Sequence, residues 1–167
     1  MVYAFSAGQK LTASALNSAT MPGNLVALHV RSSTSTPTTS GVGVGVIYLD
    51  IPVVSGRVYW VGLVTPAHHD STVTTDNVMS KITYTLNGST PTASSAILDG
   101  AQVYSLSVPV PLGTIYQATF TGTLKTLLCI ARAMGSGSAR LYADAVGRSM
   151  VMAAFDLGLP ASGGSNA

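Results

Sequence analysis

The sequence predicts an all-β protein, an antiparallel two-sheet sandwich behind a short helical arm, with a closed barrel as the alternative. Three observations carry that reading. Eight or nine short apolar or alternating runs, separated by Gly, Pro, Ser and Asn turn signals, fill residues 25–158. All six acidic residues are aspartates, so glutamate, a leading helix-surface residue, is missing. The compact helix-start signal lies within the first seventeen residues.

Residues 1–24 form the predicted arm. Val2, Tyr3 and Phe5 are apolar, Gly8 marks a turn, and Thr12 or Ser14 can cap a helix of about two turns through Leu16. Helices shorter than about 12 residues are marginal alone in water, so this one needs a surface to pack on, a scaffold or neighbouring protomer or, as the alternative, its own body as a cap. Pro22 and Gly23 end it.

The body, residues 25–158, opens with a strand over 25–31 and a Ser/Thr/Pro run over 32–40 that reads as a long surface loop. Residues 41–51 alternate glycine with valine before turning fully apolar, and the glycines leave one face bare for a backbone or ring to approach. No helix, lysine or acidic partner follows the glycines in the pattern of a phosphate-binding loop. Residues 58–64 give the strongest strand and hold the single tryptophan, Trp60, expected in the core. A polar loop holding His68, His69, Asp70 and Asp76 separates it from a strand over 78–86. Asn87-Gly88 signals a turn. Further strands are predicted over 102–110, 114–121, 124–133, 139–143 and 149–157, that over 124–133 central because it is almost wholly apolar. Residues 159–167, rich in Gly, Ser and Ala, read as a flexible tail.

Charge narrows the function classes. Only 8% of residues are charged and the net charge is +2, without the basic patch that nucleic-acid binding needs. No signal-peptide pattern and no apolar run of about 18 residues occurs, so synthesis in a cytoplasm and no membrane partner are expected. The lone Cys129 sits among Leu127, Leu128 and Ile130 and reads as a small buried hydrophobe.

The pattern Phe5-x-x-Gly8-x-x-Leu11-Thr12-Ala13-x-x-Leu16-Asn17 resembles the opening of small structural proteins of tailed bacteriophages, particularly those of actinobacteria. Gly56-Arg57-Val58-Tyr59 and the ending Phe155-Asp156-Leu157-Gly158 are similar to strand starts and closing turns of their sandwiches. The resemblance implies a jelly-roll-like sandwich, often a homotrimer, in a virion component of the capsid-decoration, head-fibre or minor-tail type. It implies docking on a capsid or tail scaffold through the arm, with Tyr3, Phe5, Gly8, Leu11, Thr12, Leu16 and Asn17 as the contact residues. This chain has no repetitive shaft, which favours a compact surface subunit over a long fibre.

No enzyme, cofactor or metal is expected. G-x-S-x-G is absent, and the aspartates are dispersed without a glutamate partner for glycoside cleavage. His68, His69, Asp70 and Asp76 lack zinc-motif spacing. The rival function is recognition of a host receptor or surface glycan, for which Tyr48, Tyr59, Trp60, Tyr84 and Tyr104 could stack on sugars. Because these aromatics fall in predicted strands, core packing is the expected role for most of them.

Overall fold

The computed structural model describes residues 23–64, 67–71, 77–86, 88–104, 109–143 and 149–160. Eleven strands follow one another: β1 (Asn24–Arg31), β2 (Val44–Val53), β3 (Val58–Leu63), β4 (Ala67–Ser71), β5 (Asn77–Thr85), β6 (Ala96–Tyr104), β7 (Pro109–Val110), β8 (Gly113–Gln117), β9 (Gly122–Met134), β10 (Ala139–Tyr142) and β11 (Met150–Gly158). One sheet runs β1-β11-β3-β8 and a second β2-β9-β5-β6, every pair antiparallel. If the short β4, β7 and β10 are set aside, the eight remaining strands lie in the order 1-8-3-6 facing 2-7-4-5. That is the jelly-roll order, in which consecutive strands repeatedly cross from one sheet to the other.

The core forms between the sheets because each strand turns alternate residues inward. Val46, Leu49, Ile51 and Val53 of β2 and Leu124, Leu128 and Ile130 of β9 from one sheet share a single core with Tyr59, Val61 and Leu63 of β3 and Met150, Met152 and Ala154 of β11 from the other. Thr126 also faces in, and its hydroxyl donates to the Leu49 carbonyl at 2.9 Å. The Tyr59 ring is fully buried and its hydroxyl accepts the Val54 N–H at 2.9 Å, fixing the turn between β2 and β3. β9 is central between β2 and β5, as its almost wholly apolar run predicts.

β10, β4 and β7 form a third, smaller sheet that prolongs the first. β4 follows β3, β7 precedes β8 and β10 precedes β11, and the lateral order is kept. The 32–40 run, predicted as a surface loop, supplies the missing edge. Thr38 and Ala139 exchange backbone bonds at 2.8 Å, and Ser35 N–H donates to the Leu141 carbonyl at 2.9 Å. Ser35 and Thr38 are buried, and the Ser35 hydroxyl accepts Leu141 N–H at 2.9 Å. Thr34 hydroxyl donates to the Ala143 carbonyl at 2.8 Å. Hydroxyl groups here complete a ladder that apolar side chains would leave unfinished.

Other expectations are corrected in detail. Residues 67–71, predicted as a polar loop, are a strand held by backbone ladders to β10 and β7. The predicted strand over 102–110 is split, since β6 ends at Tyr104 in one sheet and β7 starts at Pro109 in another. β2 starts at Val44 instead of residue 41, because Gly43 takes a left-handed φ of 107°.

Candidate docking surface

The seven arm residues singled out from the sequence, Tyr3, Phe5, Gly8, Leu11, Thr12, Leu16 and Asn17, lie outside the described residues. So does Asp76, while His68, His69 and Asp70 occupy consecutive register positions of β4 opposite Tyr142, Leu141 and Arg140. The described body adds surfaces the sequence reading had not isolated.

The most apolar of these is the outward face of the β1-β11-β3-β8 sheet. One cross-strand row reads Leu25, Phe155, Trp60 and Ile115, and the next reads Ala153, Gly62 and Gly113. Trp60 is therefore on the outside of the sandwich, correcting its predicted core position. Its indole lies over the two glycines, since a Cβ on Gly113 would meet Trp60 Cζ2 at 2.6 Å and one on Gly62 would meet it at 2.9 Å. At the glycines of 41–45 it is backbone that comes close, the Ile130 carbonyl oxygen lying 2.9 Å from where a Cβ on Gly43 would stand, whereas the close approach of a ring occurs here. Trp60 and Phe155 rings pack tilted by 53° with centroids 5.8 Å apart, a geometry worth about 1 kcal/mol beyond burial.

Beside this pair opens a shallow cavity of about 440 Å³ lined by Gly23, Trp60, Leu63, Val64, Phe155 and Leu157. Leu25, Leu28, Val30, Val64 and Ile115 around it are each more than half exposed. The two rows and these flanking residues hold no charged side chain.

Where the chain enters the body, the backbone is tied down. Gly23 N–H donates to the Asp156 carbonyl, and the Asp156 carboxylate accepts Arg57 Nε–H at 2.7 Å and Gly158 N–H at 2.8 Å. Asp156 is buried at 3% exposure. A buried carboxylate without a cation would be costly, so Arg57, at the turn before β3, fixes the end of β11 against β3. The Asp-Leu-Gly ending is thus a clamp, formed across 99 residues of sequence and invisible to local pattern.

The outward face of the other sheet is different. Leu127, Cys129 and Ala131 point away from the core and are still fully buried. Segment 89–95 returns to this face, with Pro91 buried and the Thr92 carbonyl accepting at 2.8 Å from the Thr83 hydroxyl, which also lies 3.8 Å from Cys129 Sγ. Burial raises the Cys129 thiol pKa, against smaller lowering effects from Thr83 and Lys81. This thiol is a packing group.

At the rim of that covered region Tyr48 is 51% exposed. It lines a hollow of about 240 Å³ with Asp50, Thr90, Pro91 and Lys125. Among the other aromatics, Tyr59 is in the core, and Tyr84 and Tyr116 pack together at its margin with centroids 6.3 Å apart. Tyr48 and Trp60 are the two outward-facing members of the expected sugar-stacking set whose side chains are described. No family model matches this sequence, and a search of curated proteins finds no match, so the jelly-roll body and these surfaces are the basis for any functional reading.

Proposed function

We propose that the protein is a non-enzymatic structural component of a tailed-bacteriophage virion, a capsid-decoration or minor tail subunit joined to the particle through residues 1–24. The observation that carries the reading is the pairing of a Gly8-x-x-Leu11-Thr12-Ala13-x-x-Leu16-Asn17 arm with a jelly-roll body. Among the described residues, the intersheet core is built from the strands of the body. The apolar residues of the arm support docking on a scaffold of capsid or tail proteins. Assembly as a homotrimer belongs to the same proposal, as does residence in the virion after synthesis in the host cytoplasm.

Deleting residues 1–20 tests attachment. Particles assembled with the shortened subunit are expected to lack it, and normal incorporation would sink the reading. Light scattering behind a sizing column tests the trimer, which a clean monomer at micromolar concentration would exclude.

A second reading is favoured by Tyr48. An exposed ring beside a carboxylate and an ammonium group offers a stacking platform with hydrogen-bonding partners, the usual chemistry of sugar recognition. On this reading the body is a receptor- or glycan-binding module. Specific binding on a glycan array, lost in Tyr48→Ala, would promote it over the attachment role.

A further inference from the structure

We infer that the apolar cavity beside Trp60 and Phe155 is the seat of this chain's own N-terminal arm, residues 1–22. The proposal stands on the isolated subunit and does not depend on any particle. Two features of the cavity select the occupant. The first is position. Gly23, the residue through which the arm joins the body, is itself part of the lining, and its N–H is held by the Asp156 carbonyl. The arm therefore starts at the cavity, and reaching it requires no excursion around the sheet.

The second is chemistry. Residues 1–22 carry Val2, Tyr3, Phe5, Leu11 and Leu16, and Lys10 is their single charged side chain. The two rows of the face they would cover carry no charged side chain, so with Lys10 left in solvent the apolar residues can meet them without stripping an ion of water. Dimensions agree. Four strands span about 14 Å across the sheet, and a two-turn helix is about 11 Å long. The residues from 17 to 22 leave ample chain to lay the helix expected from the sequence along the row of Trp60 and Ile115.

A returning segment is also held on the outward face of the other sheet, where Thr83, beside the buried Cys129, binds the Thr92 carbonyl of residues 89–95. A seated arm would also present its remaining face to a partner already ordered. That lowers the entropy cost of docking relative to a loose peptide.

The test uses the full chain as purified protein. In a Cys129→Ala background, Leu11→Cys is paired with Val64→Cys at the cavity, or with Tyr48→Cys on the opposite sheet as control. Mild oxidation is expected to close the Leu11–Val64 pair within single chains, many-fold faster than the control. Disulfide-linked dimers or trimers would assign the cavity to a neighbour's arm and overturn the proposal. Equal rates for the two pairs would overturn it as well.

Trp60, the chain's single tryptophan, gives an independent readout. Full-length Phe5→Asp/Leu11→Asp/Leu16→Asp is expected to red-shift its emission and roughly double acrylamide quenching as the ring loses apolar cover. Unchanged quenching would refute the seat. Loss of particle incorporation is scored separately, so an intact cross-link with normal incorporation of the arm-deleted subunit removes only the attachment reading.

Discussion

On β9, Leu127, Cys129 and Ala131 point away from the intersheet core and are buried, whereas Leu25, Leu28 and Ile115 on β1 and β8 point outward and stand more than half exposed. Segment 89–95 returns to the face of the first group, held there by Thr83 beside Leu127 and Cys129. The second has no such segment among the described residues. Both faces are apolar enough to exact a hydration cost of about 25 cal/mol per Å² left in water. The lesson is that in a jelly roll the outward faces need as much explanation as the core, and an outward apolar face needs a cover from some source.

Substitutions at the glycines would separate the two faces most sharply. Gly62→Ala places its Cβ against Gly113 Cα and the Leu112 carbonyl, both backbone atoms that cannot step aside. A loss above about 3 kcal/mol is expected in urea denaturation. Gly45→Ala on the other sheet meets Leu127 Cδ1 at 2.8 Å, the far end of a side chain that can rotate, and about 1 kcal/mol is expected there. Equal losses would mean that the backbone spacing under Trp60 is no tighter than elsewhere.

Next in size comes the clamp that closes the exposed-face sheet. Arg57→Ala leaves the Asp156 carboxylate buried without its cation, and a loss of about 2–3 kcal/mol is expected, reduced from a fully buried pair by the 16% exposure of the arginine side chain. Arg57→Ala combined with Asp156→Asn should recover part of it, because the stranded charge is gone. A double variant as unstable as the sum of the single ones would show that the two residues act independently.

Thr83→Val addresses the covered face. It removes the hydroxyl that holds the Thr92 carbonyl while keeping the shape of the side chain, so about 1 kcal/mol is expected. The more telling measurement is labelling of Cys129 by a thiol reagent under native conditions. It should be very slow in the parent and faster once segment 89–95 loosens. Rapid labelling of the parent would contradict the burial of that face.

The smallest effect is a pH dependence. Because burial raises the Cys129 pKa, the folded state favours the neutral thiol. Stability is unaffected below the ordinary thiol pKa of about 8.5 and declines as pH rises through and beyond it, where the unfolded chain ionises first. Tyr116, raised mainly by burial and further by Tyr84, adds the same trend above about pH 10. Cys129→Ala should remove the earlier part of the decline and leave the later one.

Much of the body was readable in the sequence because alternation and punctuation are local. β9 declared its central place by being apolar on both faces, and Gly56 marked the turn into β3. Trp60 went astray for a physical reason: Val58, Tyr59, Trp60, Val61 and Leu63 are all apolar, so period two gives no clue to which face turns inward. In the sequence β4 has the look of a loop, because His68, His69 and Asp70 interrupt the apolar pattern, while its backbone ladders to two neighbours decide the outcome. The 32–40 run failed similarly, since hydroxyls that advertise a loop here complete a sheet edge. The covered and uncovered faces could not be foreseen at all. They depend on where segment 89–95 lies in space.

The register of β1 against β11 has a further geometric consequence. Asn24 pairs with Asp156, so the first and last strands of the body meet end to end at one pole, beside the turn holding Arg57. The hairpin over 135–138, between β9 and β10, projects at the opposite pole with the small third sheet. A reporter fused after residue 160 would therefore sit next to anything gripping the arm, where it would obstruct. A peptide inserted at Ser136 would be carried on the far side, clear of it.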